Sequence, residues 1–111
     1  MVSVGIDIVD NQRIGRLLTD SFLNRFLSEE ELKDYMAIST EDRRVEFVAG
    51  RIAAKEAVLK CLKDRDICSM KQIVIREDET GAPFVEFEGR DIQISISHEK
   101  LFSVAVAFYL Q

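Results

Sequence analysis

Apolar and polar residues alternate over positions 2–9, where Val2, Val4, Ile6 and Ile8 interleave with Ser3, Gly5 and Asp7. A period of two predicts a strand with one apolar face and puts Asp7 on the other. Beyond it the period lengthens. Asp10 or Asn11 caps a helix running to about Leu18, and Ser28-Glu29-Glu30-Glu31 reads as a capping box opening a second helix to about Ala37. The longest helical stretch spans residues 40–63, with Phe47, Val48, Ile52, Leu59 and Leu62 as apolar supports; Gly50 inside it points to close packing. Strands follow at 72–76 and 84–88, joined by a loop holding Gly81 and the only proline, Pro83, so a hairpin is predicted. Alternation returns at 92–97. His98-Glu99-Lys100 then turns the chain into 102–110, whose β-branched valines suit a buried strand. A strand, helices and then four strands predict an α+β fold: one antiparallel sheet packed against helices, including one long central helix.

A chain of 111 residues holds one core and too little for two, so residues 1–111 are predicted to be a single domain. It has no apolar run of membrane-spanning length, and its start lacks the basic-then-apolar pattern of a leader; both predict a cytoplasmic protein with no membrane partner. Cys61 and Cys68 form no CxxC pair, which predicts neither a disulfide framework nor a zinc site. A net charge of −5 argues against a nucleic-acid partner. The charge is unevenly spread, however. Between positions 43 and 63, Arg43, Arg44, Arg51, Lys55, Lys60 and Lys63 face only Glu46 and Glu56, which predicts a focused anion site.

Arg51 and Lys55 stand four apart on the central helix, a like-charge pairing that by itself is mildly unfavourable and calls for an anionic neighbour. Glu56 and Lys60 share another stripe of that helix. An exposed pair of this kind contributes only about 0.3–0.5 kcal/mol, and spacing alone favours such a plain surface pair. Asp7 and Glu56 suit a hard cation such as Mg²⁺, which takes one or two carboxylates together with phosphate oxygens and water, provided that the fold brings them together. Asp7 also suits a strand end ahead of a helix N-terminus. His98, the only histidine, follows a strand bearing Ser95 and Ser97 on one face, an arrangement as consistent with an exposed turn as with a site. No single residue fixes an activity.

Three separated pieces taken together are more specific. Gly5-Ile6-Asp7-Ile8, the helical run Phe47-Val48-Ala49-Gly50-Arg51-Ile52-Ala53-Ala54-Lys55-Glu56-Ala57, and Ser95-Ile96-Ser97-His98 occur in this order, with Gly81-Ala82-Pro83 between two predicted strands. Nearly the whole chain thereby resembles the small holo-acyl-carrier-protein synthases, a family of 4′-phosphopantetheinyl transferases. Residues 62–70 depart from the resemblance, containing no glycine where the family carries a glycine-rich connection.

The resemblance implies transfer of the 4′-phosphopantetheine arm of coenzyme A to a serine of apo acyl carrier protein, with adenosine 3′,5′-bisphosphate released. It implies Asp7 and Glu56 as Mg²⁺ ligands, with Glu56 also aiding removal of the serine proton. Lys60 would neutralise the leaving phosphate. Arg51, Lys55 and His98 would hold coenzyme phosphates beside the Gly81 and Pro83 turn. It further implies a homotrimer with active sites between subunits. Arg13, Arg16 and Leu17, extended by Arg25, are the expected face for the acidic carrier protein. Two other classes stay open: a coenzyme- or nucleotide-binding module that keeps the fold without turnover, and an assembly domain whose basic helix meets an acidic partner.

Overall fold

The computed structural model describes residues 1–62 and 69–111. Strand β1 (Val2–Asp10) leads into three short helices, α1 (Asn11–Gly15), α2 (Asp20–Phe26) and α3 (Glu29–Met36), and then the long α4 (Glu41–Cys61). After a 3₁₀ turn at Met70–Gln72 come β2 (Val74–Glu77), β3 (Pro83–Glu86), β4 (Ile92–His98) and β5 (Phe102–Leu110). The strands form two antiparallel sheets, one in the order β1-β5-β4 and a separate β2-β3 ribbon. The predicted single sheet is thus divided, and β3 packs beside β4 without joining its ladder.

Local chemistry explains most boundaries. The Asp10 carboxylate accepts from the backbone amides of Gln12 and Arg13 to start α1, and Thr19 and Thr40 cap α2 and α4 through their hydroxyls. Ser28 and Glu31 close the predicted capping box at the head of α3. Helix α1 ends at Gly15, three residues short of expectation, and α2 is a helix additional to the two short ones predicted. Buried Asn11 ties α1 to the far end of the chain: its amide donates to the carbonyls of Glu99 and Lys100, and its oxygen accepts from Ser103.

Helix α4 lies against the inner face of the β1-β5-β4 sheet, presenting fully buried Ala53, Ala54 and Ala57. Small residues on the helix admit small residues on the strand. Ser3 and Gly5 of β1 are therefore the buried ones, while Val2, Val4, Ile6 and Ile8 face outward at 53–64% exposure. The apolar face of β1 is the outer one, and Asp7 turns inward toward α4. Closest approach comes at Gly5: a Cβ built there would sit 2.0 Å from the Ala57 carbonyl oxygen and 2.9 Å from Lys60 Cβ. Only glycine fits.

A second core, of Ile14, Leu23, Leu27, Tyr35, Val48, Ala49 and Ile52, seats the short helices on the first half of α4. Between the two cores lies Lys55, wholly buried. Its ammonium donates to Glu31 Oε1 at 2.6 Å, to the Phe26 carbonyl at 2.6 Å and to the Met70 carbonyl at 3.1 Å. Glu31 in turn accepts from the Ser28 and Ile75 amides. One buried pair thus joins α2, α3, α4, the 3₁₀ turn and β2.

The close approach makes a direct prediction. Gly5→Ala should destabilise the protein by about 2–3 kcal/mol or more, because the added methyl meets backbone that cannot rotate away. Urea denaturation checks this, and a wild-type midpoint would contradict the packing described.

Candidate functional site

Two groups of polar side chains stand out on α4, and the residues expected from the sequence divide between them. The first lies at the edge of the three-stranded sheet. Because Gly5 lets α4 settle onto β1, Lys60 reaches past it and donates to the Ile6 carbonyl at 2.8 Å and to Asp7 Oδ1 at 3.3 Å. Asp7 is largely covered, and Lys60 is half exposed. Glu56, one turn earlier on the same stripe, is partly buried and makes no hydrogen bond or ion pair with any described residue. The α4-β1 packing therefore places a carboxylate beside a lysine, with a second, unengaged carboxylate on the same helix stripe.

The donor set bears on a metal. Among the described residues, no three His, Cys, Asp or Glu side chains gather into a group that could cage one. Asp7 and Glu56 supply hard oxygen donors from two elements in contact. That composition suits Mg²⁺, which commonly binds one or two carboxylates and completes its shell with substrate phosphates and water.

The second group lines a recess of about 190 Å³ between α4, the β2-β3 ribbon and the end of β4. Arg51, Gly81, Pro83 and His98, four of the five residues expected to bind the coenzyme, line it. Arg51 is 8% exposed, lies over the Phe47 ring at 4.2 Å, and meets Glu77 Oε2 at 3.5 Å; its buried Nε has no partner. Across the recess, Glu46 stands between Arg43 at 3.4 Å and His98 Nδ1 at 3.6 Å. Gly81 (φ +87°) shapes the β2-β3 turn in a conformation that favours glycine. That turn is pinned by Asp78, whose carboxylate accepts from the Thr80 hydroxyl and the Ala82 and Thr80 amides, bonds that hold its pKa below the usual carboxylate value. Gly50 leaves ordinary contact distance to Ile96 and so opens the recess, unlike Gly5, which relieves a clash.

Lys55 is the exception, and its expected role is corrected here. It is fully buried away from the recess with all three donors used, so it has none left for a phosphate. Burial lowers its pKa in spite of the Glu31 carboxylate beside it. The anionic neighbour that the Arg51-Lys55 spacing called for exists, but it is internal. The sequence assigns Glu46, Phe47 and Glu77 no role in the site and marks Arg43 only as one cation of the basic stretch. Arg43, Phe47 and Gly50 recur at helical spacing and could have been found by period, whereas Glu77 arrives from another sheet with no local signal.

Glu46 and His98 also border a broader groove of about 600 Å³ that runs to Asn11, Gln12 and Gly15 of α1. Arg13, Arg16 and Leu17 are exposed beside it, and exposed Arg25 on α2 lies 5.6 Å from the Phe26 ring centre. The glycine-free connection falls mainly on residues 63–68, outside the described residues.

The family model for the 4′-phosphopantetheinyl transferase superfamily matches residues 3–108. The chain belongs to that family. It is 42% identical over 105 residues to a holo-[acyl-carrier-protein] synthase of Mycoplasma capricolum, covering 95% of this chain and 91% of the relative. A synthase of the same name from Geobacillus sp. strain WCH70 is 38% identical over 112 residues, covering 95% and 92%. A crystal structure of the Bacillus anthracis holo-(acyl-carrier-protein) synthase in complex with CoA (3′,5′-ADP) superposes with a TM-score of 0.88 at 36% identity, covering 96% of this chain and 94% of that one. These transferases share the α+β fold with one long helix, as expected from the sequence.

Lys55→Met should cost about 3–5 kcal/mol, because it strands the Glu31 carboxylate in the core. Adding Glu31→Gln should recover much of that loss by removing the stranded charge. Denaturation of the single and double variants checks both; equal stability of Lys55→Met and the parent would contradict the buried pair.

Proposed function

We propose that this protein is a holo-acyl-carrier-protein synthase, moving the 4′-phosphopantetheine arm of coenzyme A onto a serine of apo acyl carrier protein. The observation that carries the reading is the packing of α4 on β1, which sets Asp7 against Lys60, with Glu56 one turn away, in a chain of this family. In the reaction the serine oxygen bonds to the phosphorus that bears pantetheine. The bridging phosphorus–oxygen bond breaks, and adenosine 3′,5′-bisphosphate leaves with the electron pair.

Glu56, unpaired among the described residues, accepts the serine proton. Lys60, half exposed and held at Asp7, stabilises the negative charge that grows on the leaving phosphate. Mg²⁺ held by Asp7 and Glu56 would supply further charge stabilisation on the pyrophosphate. Arg51 and His98, joined by Arg43 of the same lining, hold the remaining phosphate of the coenzyme, its 3′-phosphate, in the recess shaped by Gly81 and Pro83. The groove from His98 to α1 links that recess to Arg13, Arg16 and Leu17, where the acidic carrier docks; Arg25 extends the basic face. Both substrates belong to the cytoplasm, where the loaded carrier serves fatty acid biosynthesis.

The working unit in this reading is a homotrimer. Val2, Val4, Ile6 and Ile8 on β1, with Phe102, Phe108 and Leu110 on β5, form one outer sheet face with each of these side chains 41–64% exposed. An apolar expanse of this kind on an edge strand and its neighbour needs cover, and further copies of the chain supply it. None of Asp7, Glu56 and Lys60 lines the recess of their own chain. A site shared between copies would unite the two groups.

Mass spectrometry of apo carrier protein incubated with the protein, coenzyme A and Mg²⁺ should show a gain of one phosphopantetheine arm. Asp7→Ala and Glu56→Ala should abolish that gain with the fold intact, and Lys60→Ala should lower kcat more than it raises KM for the coenzyme. No gain with the parent protein, or normal turnover by either carboxylate variant, overturns the assignment.

Charge reversal at Arg13 and Arg16 together should raise KM for carrier protein, most at low ionic strength, and leave coenzyme affinity unchanged. Wild-type kinetics at low salt would place docking elsewhere.

A further inference from the structure

Among the described residues, the two arginines and the histidine lining the coenzyme recess each already face a carboxylate, and each contact is long. Arg43 meets Glu46 at 3.4 Å, Arg51 meets Glu77 at 3.5 Å, and His98 meets Glu46 at 3.6 Å. The Arg51 pair is the most lopsided. The Arg51 side chain is 8% exposed with its guanidinium over Phe47, whereas the Glu77 side chain is 52% exposed at the end of β2. A buried guanidinium needs an anion, and one weak contact with an unpartnered Nε leaves it under-satisfied. Glu77 answers the charge without filling the hydrogen-bonding capacity. Its own side chain loses little by swinging back into water.

We propose that Glu77 is a displaceable counter-ion: it neutralises Arg51 in the free recess and yields the guanidinium to the 3′-phosphate of the coenzyme on binding. The inference rests on the assignment of the recess to coenzyme phosphates. A stand-in carboxylate has two consequences. It lowers affinity for the group that must evict it, and it waits beside Arg51 to help expel that group, so it speeds departure of the bisphosphate product. Its effect is confined to ligands bearing the evicting phosphate. Glu77 is thus a residue that sets affinity and release rate, and it takes no part in bond making.

Calorimetric titration with coenzyme A and with its 3′-dephospho analogue tests this, using the parent protein, Glu77→Gln, Arg51→Met and Glu86→Gln. Glu86 pairs with Arg76 at 3.3 Å on the same ribbon and does not line the recess, so its variant controls for the loss of one negative charge. Glu77→Gln should bind coenzyme A roughly two- to fivefold tighter, the upper part of the range that an exposed ion pair's strength allows, and the dephospho analogue with the affinity of the parent. Stopped-flow release of adenosine 3′,5′-bisphosphate from Glu77→Gln should slow by the same factor as its binding tightens. Unchanged or weaker coenzyme binding by Glu77→Gln, or equal tightening by Glu86→Gln, overturns the counter-ion while leaving the recess assignment in place. Parent-like affinity in Arg51→Met overturns the recess assignment itself.

Discussion

The structure turns on the contact between Gly5 and the Ala57 carbonyl. No side chain separates β1 from α4 at that point, so strand and helix meet backbone to backbone. Everything chemical on this part of the molecule follows from that separation. A bulkier residue would lift the helix, and Lys60 could then no longer span from α4 to the Ile6 carbonyl and Asp7. The alanines at 53, 54 and 57 serve the same end, giving the helix a smooth side on which the sheet can settle. The cost is visible on the other face: with small residues inside, the large residues of β1 have only the outside to occupy.

That inversion explains where the sequence could and could not be read. Alternation over residues 2–9 announces a strand, but a period of two does not say which face is inner when one face is apolar and the other is small enough to be buried. The identity of the partner surface decides, and that surface lies some fifty residues away on α4. The capping box at Ser28-Glu31 was legible because all its bonds are local. Helix α2 carries Phe22, Leu23 and Phe26 at helical spacing and a Thr19 cap, yet its seven residues are too few for the period to stand out from a connection.

Charge was harder to read than shape. Lys55 and Arg51 look alike in the sequence, two cations on one helix stripe, and only long-range packing separates them. Glu31 reaches Lys55 from α3 and consumes it in the core, whereas the partner of Arg51 is an exposed carboxylate at the rim of an open recess. A buried, fully bonded cation is architecture. A buried cation with an unpartnered nitrogen beside a cavity can serve a ligand. The same distinction sorts the carboxylates, with Glu31 satisfied by Lys55 and two backbone amides and Glu56 unengaged among the described residues.

The proposed function requires the carboxylate–lysine group on β1 and α4 and the arginine-lined recess to be two parts of one coenzyme site, completed between copies of the chain. A crystal structure of the protein grown with coenzyme A and Mg²⁺ tests that claim most directly. One coenzyme molecule per chain is expected, its 3′-phosphate on Arg51 and His98 of one copy and its pyrophosphate, with the metal, at Asp7, Glu56 and Lys60 of a neighbouring copy, across an interface built from the outer face of β1 and β5. A coenzyme bound with both groups uninvolved, or a chain that binds it as a monomer with β1 and β5 bare, would contradict it.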